Sequence, residues 1–323
     1  MTTLENLTTH AWSDYELLDS GENMKLERFG KIILARPETQ ALWKKALPEI
    51  WEKANATFSW EGKKGSWKIK NDTPKEWGFS WQDTRLIVKL TSFKHTGIFP
   101  EQAQNWAWLK DRVHDAKNSM SRTPKVLNLF GYTGVASIVS AQAGAEVTHV
   151  DASKQSLTWA HKNADASGVG VGAKEKSSPG AEHGALGAVL SADSQKPGSI
   201  RYLLDDALSF SKRAVRRGER YDGIILDPPA FGRGAKGEVW HIEKNLPILL
   251  ELLNELLNDT PDTFFLLNGY ASGYAPKSFM QLVESTFKNS NLKYGELEIA
   301  EAQKTRVIPA GIYVRFARNS KSS

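Results

Sequence analysis

Five short apolar runs, residues 125–130, 146–150, 200–204, 221–226 and 263–268, alternate with stretches that repeat apolar residues at helical spacing, residues 133–142, 154–165, 207–217 and 245–257. A chain with this rhythm has few ways to fold. Runs that are apolar on both faces need cover on both sides, so strands and helices in alternation predict a mostly parallel sheet between two helical layers. Residues 293–302 and 311–317 read as a terminal antiparallel pair. Residues 100–118 carry Ala103, Trp106, Leu109, Val113 and Ala116 at helical spacing and predict a helix leading into the sheet. Residues 167–196 break the rhythm with Gly, Ala and Ser and are expected to form a flexible surface insertion.

Nine of the 11 tryptophans, Trp12, Trp43, Trp51, Trp60, Trp67, Trp77, Trp81, Trp106 and Trp108, fall in the first 108 of the 323 residues. That shift predicts a small α+β module over residues 1–90, with one helix at 38–54, followed by a larger domain over 91–323. Lys63, Lys64, Lys68 and Lys70 interleave with Trp60 and Trp67, a pattern that suits base stacking and phosphate contact or, alternatively, a tryptophan core with lysines on its wet face. A net charge of +5 permits a nucleic-acid partner without requiring one. With no cysteine at all, disulfides, thiolate metal sites and cysteine nucleophiles are excluded. Residues 1–19 carry Glu5, Asp14, Glu16 and Asp19 and lack the basic and apolar regions of a signal peptide. No apolar run approaches the roughly 18–20 residues of a membrane span. The expectation is a cytoplasmic protein with no membrane partner.

The hand-over from the first strand to the first helix reads Asn128-Leu129-Phe130-Gly131-Tyr132-Thr133-Gly134. Glycines here would let a ligand approach the backbone, Thr133 is expected to cap the helix, and Asp151 ends the second strand about twenty residues on, where a carboxylate can accept from ribose hydroxyls. Only G-x-x-G is present, so the pyrophosphate cradle of a dinucleotide site is incomplete. A nucleoside without phosphates, such as S-adenosylmethionine, needs fewer glycines. After the fourth strand come Asp227-Pro228-Pro229-Ala230-Phe231 and then Gly232, Arg233 and Gly234. The prolines hold the turn extended, so Asp227 and the Pro228 carbonyl are placed to accept from a planar amino group while Phe231 stacks on its ring. A proline pair that merely stops the strand is the competing reading.

These segments together resemble the class I S-adenosylmethionine-dependent methyltransferases, in particular the bacterial large-subunit ribosomal RNA branch. The resemblance runs from about Phe93 to Phe316 through Thr96-Gly97-Ile98-Phe99 with Gln102, the 128–134 turn, Val150-Asp151-Ala152-Ser153, Asp205-Asp206-Ala207 and the Asp227 tetrad. It implies a Rossmann-like sheet with an antiparallel C-terminal strand, S-adenosylmethionine as cofactor, no metal, and a ribosomal RNA partner. By position, it implies that Phe130 and Gly131 line the methionine end and Asp151 holds the ribose. Asp206 would accept from the adenine amino group beside Ala207. Asn128, Tyr132, Thr133, Gly134, Ala152 and Ser153 would complete the cofactor site, and Phe99 and Gln102 would close over it. Relatives commonly carry an arginine where this chain has Ala103.

Methylation of carbon 5 of a pyrimidine ordinarily uses a cysteine adduct, which this chain cannot form. N-methylation of a nucleobase, guanine above all, is therefore expected, with Asp227, Pro228 and Phe231 at the reacting centre. Arg233, Lys236, Trp240 and His241 are candidates for substrate contact. Lys212, Arg213, Arg216, Arg217 and Arg220 read as a solvated helix end. Rival readings are a methyltransferase acting on a protein or small molecule and a nicotinamide-dependent oxidoreductase.

Overall fold

The computed structural model describes residues 2–318 apart from 63, 71, 172–197, 235–236, 271–272, 288–290 and 303–305. The expected insertion at 167–196 therefore lies almost wholly outside the described residues, as does Lys236.

Seven strands carry the main sheet: β1 (Lys125–Leu129), β2 (Glu146–Asp151), β3 (Ser199–Leu204), β4 (Gly223–Leu226), β5 (Phe264–Gly269), β6 (Lys293–Ala300) and β7 (Val307–Ala317). Their order is β6-β7-β5-β4-β1-β2-β3, with β7 antiparallel to both neighbours and β1 to β5 parallel. Side chains alternate strictly between two buried faces. Val126, Ile225, Phe264 and Leu266 enter one core, with α1 (Ala103–Ser119), α2 (Val135–Gln142) and α3 (Lys154–Ala166) over it. Leu127, Ile224, Phe265 and Leu267 enter the other, beneath α4 (Ala207–Arg216), α5 (Ile242–Leu256) and α6 (Pro276–Thr286). This period of two with both faces covered is why the strand sequences read as unbroken apolar runs.

Two short strands, Thr3–Leu4 and Leu7–Thr9, pair in parallel with β6, so both belong to the main sheet. Between them and α1 lie a five-stranded sheet, Tyr15–Gly21 through Lys64–Ile69, and the hairpin Glu76–Trp81/Thr84–Lys89. Its core is continuous with the layer of α1 to α3, where Trp81 meets Trp106 edge-on at 5.4 Å. The module is β rather than α+β. Instead of a helix at 38–54 the chain runs irregularly into a single 3₁₀ turn, Pro48–Lys53. Pro48 removes a helical donor in mid-segment, and the Asp19 carboxylate collects the Ala46 and Leu47 amides and the Trp51 indole N–H at 3.2, 3.0 and 2.8 Å.

The tryptophans stitch this module together. Trp12, Trp43, Trp67 and Trp77 each donate an indole N–H to a backbone carbonyl, at 2.8, 3.1, 2.8 and 2.9 Å. In the hairpin of Ala56–Glu61 and Lys64–Ile69, Phe58 pairs with Trp67 on one face while Lys64 and Lys68 lie opposite Glu61 and Thr57 on the other. The lysines and Trp67 thus look in opposite directions, the arrangement of a packed core with a wet face. One helix boundary differs from expectation, and one helix went unread. α5 starts at Ile242, which leaves Pro247 in its second turn rather than at its opening, and α6 carries its own first-turn proline, Pro276.

The edge of the sheet opposite the crevice is fixed by Asp222, fully buried, which accepts both guanidinium N–H groups of Arg122 at 2.6 Å, the Lys125 amide at 2.9 Å and the Asn258 amide at 2.7 Å. Burial alone would raise its carboxyl, but these donors outweigh it and hold it below the usual range. A folded-state pKa below the unfolded one adds stability above the unfolded pKa, and that stability is lost as pH falls through the folded value. Asp222→Asn is expected to cost about 2–3 kcal/mol at neutral pH. Denaturant titrations should show the gap closing towards pH 3; a gap independent of pH would mean the charge is not the source.

Candidate active site

The sheet order reverses between β1 and β4, because the chain leaves β1 for β2 on one side and enters β4 on the other. Ligands of such sheets sit outside the carboxyl ends at that point. Here the 130–134 turn faces Asp227 across the crevice.

The turn is strained. Phe130 and Tyr132, neither of them glycine, have φ of 56° and 50°. It is held by the Gly131 amide on the Val150 carbonyl at 3.2 Å and by the Tyr132 amide on Asp151 Oδ2 at 2.8 Å. The other oxygen of Asp151 accepts the Ser153 amide at 2.8 Å, so the side chain expected at a ribose also clamps the turn. Burial raises its carboxyl, with the two amides pulling the other way.

Gly131 and Gly134 are required for a reason other than ligand approach. A Cβ on Gly131 would stand 2.3 Å from His149 Cε1, and one on Gly134 would meet the Ala160 Cβ at 3.0 Å, with φ at +85° besides. The buried His149 ring under the turn is bonded to Ser137 Oγ at 2.9 Å, which also accepts the Asn128 amide at 2.8 Å. Burial, then His161, pushes this histidine down to about 3, so it stays neutral. Asn128 is thus a support beneath the turn, beside a small cavity it shares with Phe130, Gly131, Tyr132 and Asp227. Thr133 does not cap α2. Its hydroxyl donates to the Gly97 carbonyl at 2.6 Å and ties the closing segment to the turn, while Gly134 occupies the cap position.

Ser153 caps α3 through the Ser156 amide at 3.2 Å, and Asp206 caps α4 through the Ser209 amide at 2.8 Å. Asp205 pairs with Arg213. These residues, with Ala152 and Ala207, line one cavity of about 1330 Å³ that also takes in Asp151, Asp227, Pro228 and Phe99. That exceeds what one ligand of about 300–1,000 Å³ needs, leaving room for donor and acceptor together. Its far wall comes from the N-terminal sheet, including Lys25 and Arg36. Phe99 lies 5.8 Å from the Tyr132 ring and 5.3 Å from Tyr270, forming an apolar cover. Gln102, buried, donates to the Tyr270 hydroxyl at 2.7 Å.

Asp227 is lifted to about 7 by burial and then by the charge of Glu101, and its Oδ1 is shielded from water with no hydrogen-bond partner among the described residues. The Pro229 carbonyl is taken by the Trp240 indole at 2.7 Å. Trp240, 4 % exposed and 4.9 Å from the Phe130 ring, packs under the turn and also lines the cavity. It sits on a hairpin, Phe231–Arg233 with Val239–His241, that the sequence did not reveal. Alternation on that hairpin puts Phe231 beside His241 at 5.0 Å and opposite in sense to Trp240, so neither Phe231 nor His241 lines the cavity. Phe231 is 53 % exposed at its rim, and Arg233 is at the mouth. Glu101 and Tyr270 are among the cavity residues that went unread in the sequence. Tyr270 follows the carboxyl end of β5, a position that by itself signals ligand contact. Of the basic residues about α4, Arg213 reaches back to Asp205 at the cavity, while Arg217, past the helix end, pairs with Glu219 at 3.6 Å. Among the described residues no group of three potential metal ligands occurs, and no helix is long and apolar enough to cross a membrane.

A reversal between β1 and β4, a carboxylate at the end of β2 and a carboxylate-diproline after β4 define a class I methyltransferase site. A solved S-adenosylmethionine-dependent methyltransferase from Agrobacterium tumefaciens is 35% identical, covers 98% of this chain and 95% of its own, and superposes with a TM-score of 0.83. The chain belongs to the S-adenosylmethionine-dependent methyltransferases, and S-adenosylmethionine is its cofactor. It is also similar to ribosomal RNA large subunit methyltransferase I of Aeromonas salmonicida, 25% identical over 71% of this chain and 49% of that protein. Ribosomal RNA large subunit methyltransferase K/L of Psychrobacter cryohalolentis is 29% identical over 47% of this chain and 15% of that protein. The chain spans about half the length of the first curated relatives it matches. No family model matches it.

Proposed function

We propose that this protein methylates a nitrogen of a nucleobase in ribosomal RNA, with guanine favoured. The observation that carries this reading is the Asp227 carboxyl, with one oxygen buried and unpartnered, beside Pro228 at the crevice. A buried acceptor left unpaired costs about 1–3 kcal/mol, a cost that a donor on the substrate removes. Guanine offers both a ring N–H and an amino group on one edge. The exposed ring of Tyr274 and the cations Lys89, Lys94 and Arg233 about the cavity suit an unstacked base with its phosphates. Asp151 would hold the ribose, Asp206 the adenine, and the Phe130–Gly131 turn the methionine end of the cofactor, as the matching motifs imply.

Bound S-adenosylmethionine supplies an electrophilic methyl group. The chain's part is alignment: Asp227 and the Pro228 carbonyl fix the attacking nitrogen in line with the methyl carbon and sulfur, and Phe99 and Tyr270 exclude water. The names of the RNA-methylating relatives support an RNA acceptor over a protein or a small molecule. Tritiated methyl transfer into total RNA and total protein from cells lacking this enzyme tests it. Counts in ribosomal RNA are expected; counts in protein alone would overturn the RNA reading.

A further inference from the structure

Of the acidic side chains that line the cavity with Asp227, the one whose charge acts on it is Glu101, carried by the 3₁₀ turn Pro100–Gln102 that opens α1 and 6 % exposed. Apart from its own backbone amide, no donor among the described residues bonds its carboxyl. The nearby cations are engaged elsewhere. Lys25 lies 3.3 Å from Glu38 and 3.7 Å from Glu27, and Arg36 donates to Glu27 at 2.9 Å through Nε. Tyr15 also donates to Glu27, at 2.8 Å. A carboxyl buried without a paired cation destabilises the fold, so packing gives no reason for a glutamate at this position. Tyr270 lines the same cavity and feels the charge of both, and its hydroxyl is held by Gln102, the residue following Glu101. Burial raises Glu101 to about 7, as it does Asp227.

We propose that Glu101 is a second acceptor carboxylate of the methyl transfer, so that the methylated nitrogen is one bearing hydrogen, an exocyclic amino group, and its released proton is kept by the Glu101–Asp227 pair. The inference rests on the nitrogen-methylation reading above. In the step, the nitrogen lone pair forms the new N–C bond, the C–S bond breaks with its electrons going to sulfur, and the N–H proton passes to the carboxylate and then to water. A bare ring nitrogen fits this wall poorly. An ionised pair repels its lone pair, and a protonated carboxyl would bind the lone pair that has to attack.

The test uses the full chain, wild type against Glu101→Gln and Glu101→Asp, with RNA from cells lacking the enzyme. Glu101→Gln is expected to lower kcat about 10–100-fold with S-adenosylhomocysteine affinity within about twofold by calorimetry, and Glu101→Asp to recover part of the loss. The acid limb of the rate profile should move as well. Without the charge of Glu101, Asp227 gives up its proton more readily, so the limb shifts to lower pH while Lys25, Glu27, Arg36, Tyr15 and Tyr270 stay in place. An unchanged kcat and limb in Glu101→Gln would overturn the proposal. Nucleosides from digested RNA should carry label on an exocyclic amino group. Label on a ring nitrogen overturns this inference and leaves the RNA reading standing. Label in protein alone removes the RNA reading, and the same variants assayed on that protein then decide the role of Glu101.

Discussion

Replacing Asp151 with alanine is expected to weaken S-adenosylmethionine binding about a hundredfold, since hydrogen bonds to a charged acceptor are worth about 1.5–3 kcal/mol each. Two losses combine in that figure. The carboxylate would no longer accept from the ribose, and the Tyr132 and Ser153 amides lose their acceptor, releasing a turn in which Phe130 and Tyr132 have positive φ. Asp151→Asn separates them. One amide oxygen still accepts the Tyr132 N–H and keeps the turn, so this variant should fall between wild type and alanine. Calorimetry with S-adenosylmethionine and with S-adenosylhomocysteine reads the affinity, and a melting curve without cofactor reads the turn. Affinity unchanged in Asp151→Ala would remove the ribose role altogether.

The parts of this fold that were legible in sequence are those where a local pattern has a single physical cause. Leu127, Ile224, Phe265 and Leu267 face one core while their neighbours face the other, which gives unbroken apolar strands, and the helices between them keep their own period. Thr3–Leu4 and Leu7–Thr9 could not be read that way. Each is too short to show alternation, and each finds its partner, β6, nearly the whole chain away. The helix expected at 38–54 failed because Asp19, remote in sequence, offers the backbone at Ala46 and Leu47 a better acceptor than a helical turn does. At the site, residue types were legible while their reasons were not. Gly131 looked like clearance for a ligand, but the ring of His149 fills the space a Cβ would need. Thr133 looked like a cap and is a tie to Gly97. Phe231 looked like a stacking wall until the hairpin turned it outward. Glu101 gave no signal, since a glutamate beside a proline at a helix entrance is ordinary, and only its burial opposite Asp227 sets it apart.

Asp227→Ala is expected to reduce methyl transfer about a thousandfold, within the range of about 10²–10⁴ for a positioned acid–base group, while cofactor affinity changes by no more than a few fold. The same substitution should make the protein more stable. Asp227 Oδ1 is shielded and unpartnered, so the native state bears a desolvation cost of about 1–3 kcal/mol that alanine, or asparagine with its weaker need for solvent, removes in part. The sign of the pH dependence follows from the direction of the shift. Burial and Glu101 raise the folded pKa to about 7, against about 3.9 unfolded, so between those values the native state holds a proton that the unfolded chain has lost. The Asp227 contribution to stability therefore falls as pH rises through that window, and wild type should lose stability relative to Asp227→Asn across it. Chemical denaturation from pH 5 to pH 8 measures this without any substrate. A destabilised Asp227→Ala with a parallel pH profile would make the carboxyl a structural element and its loss of activity a folding effect. A stabilised variant that binds cofactor and transfers no methyl would place the cost of this buried acid in the chemistry it performs.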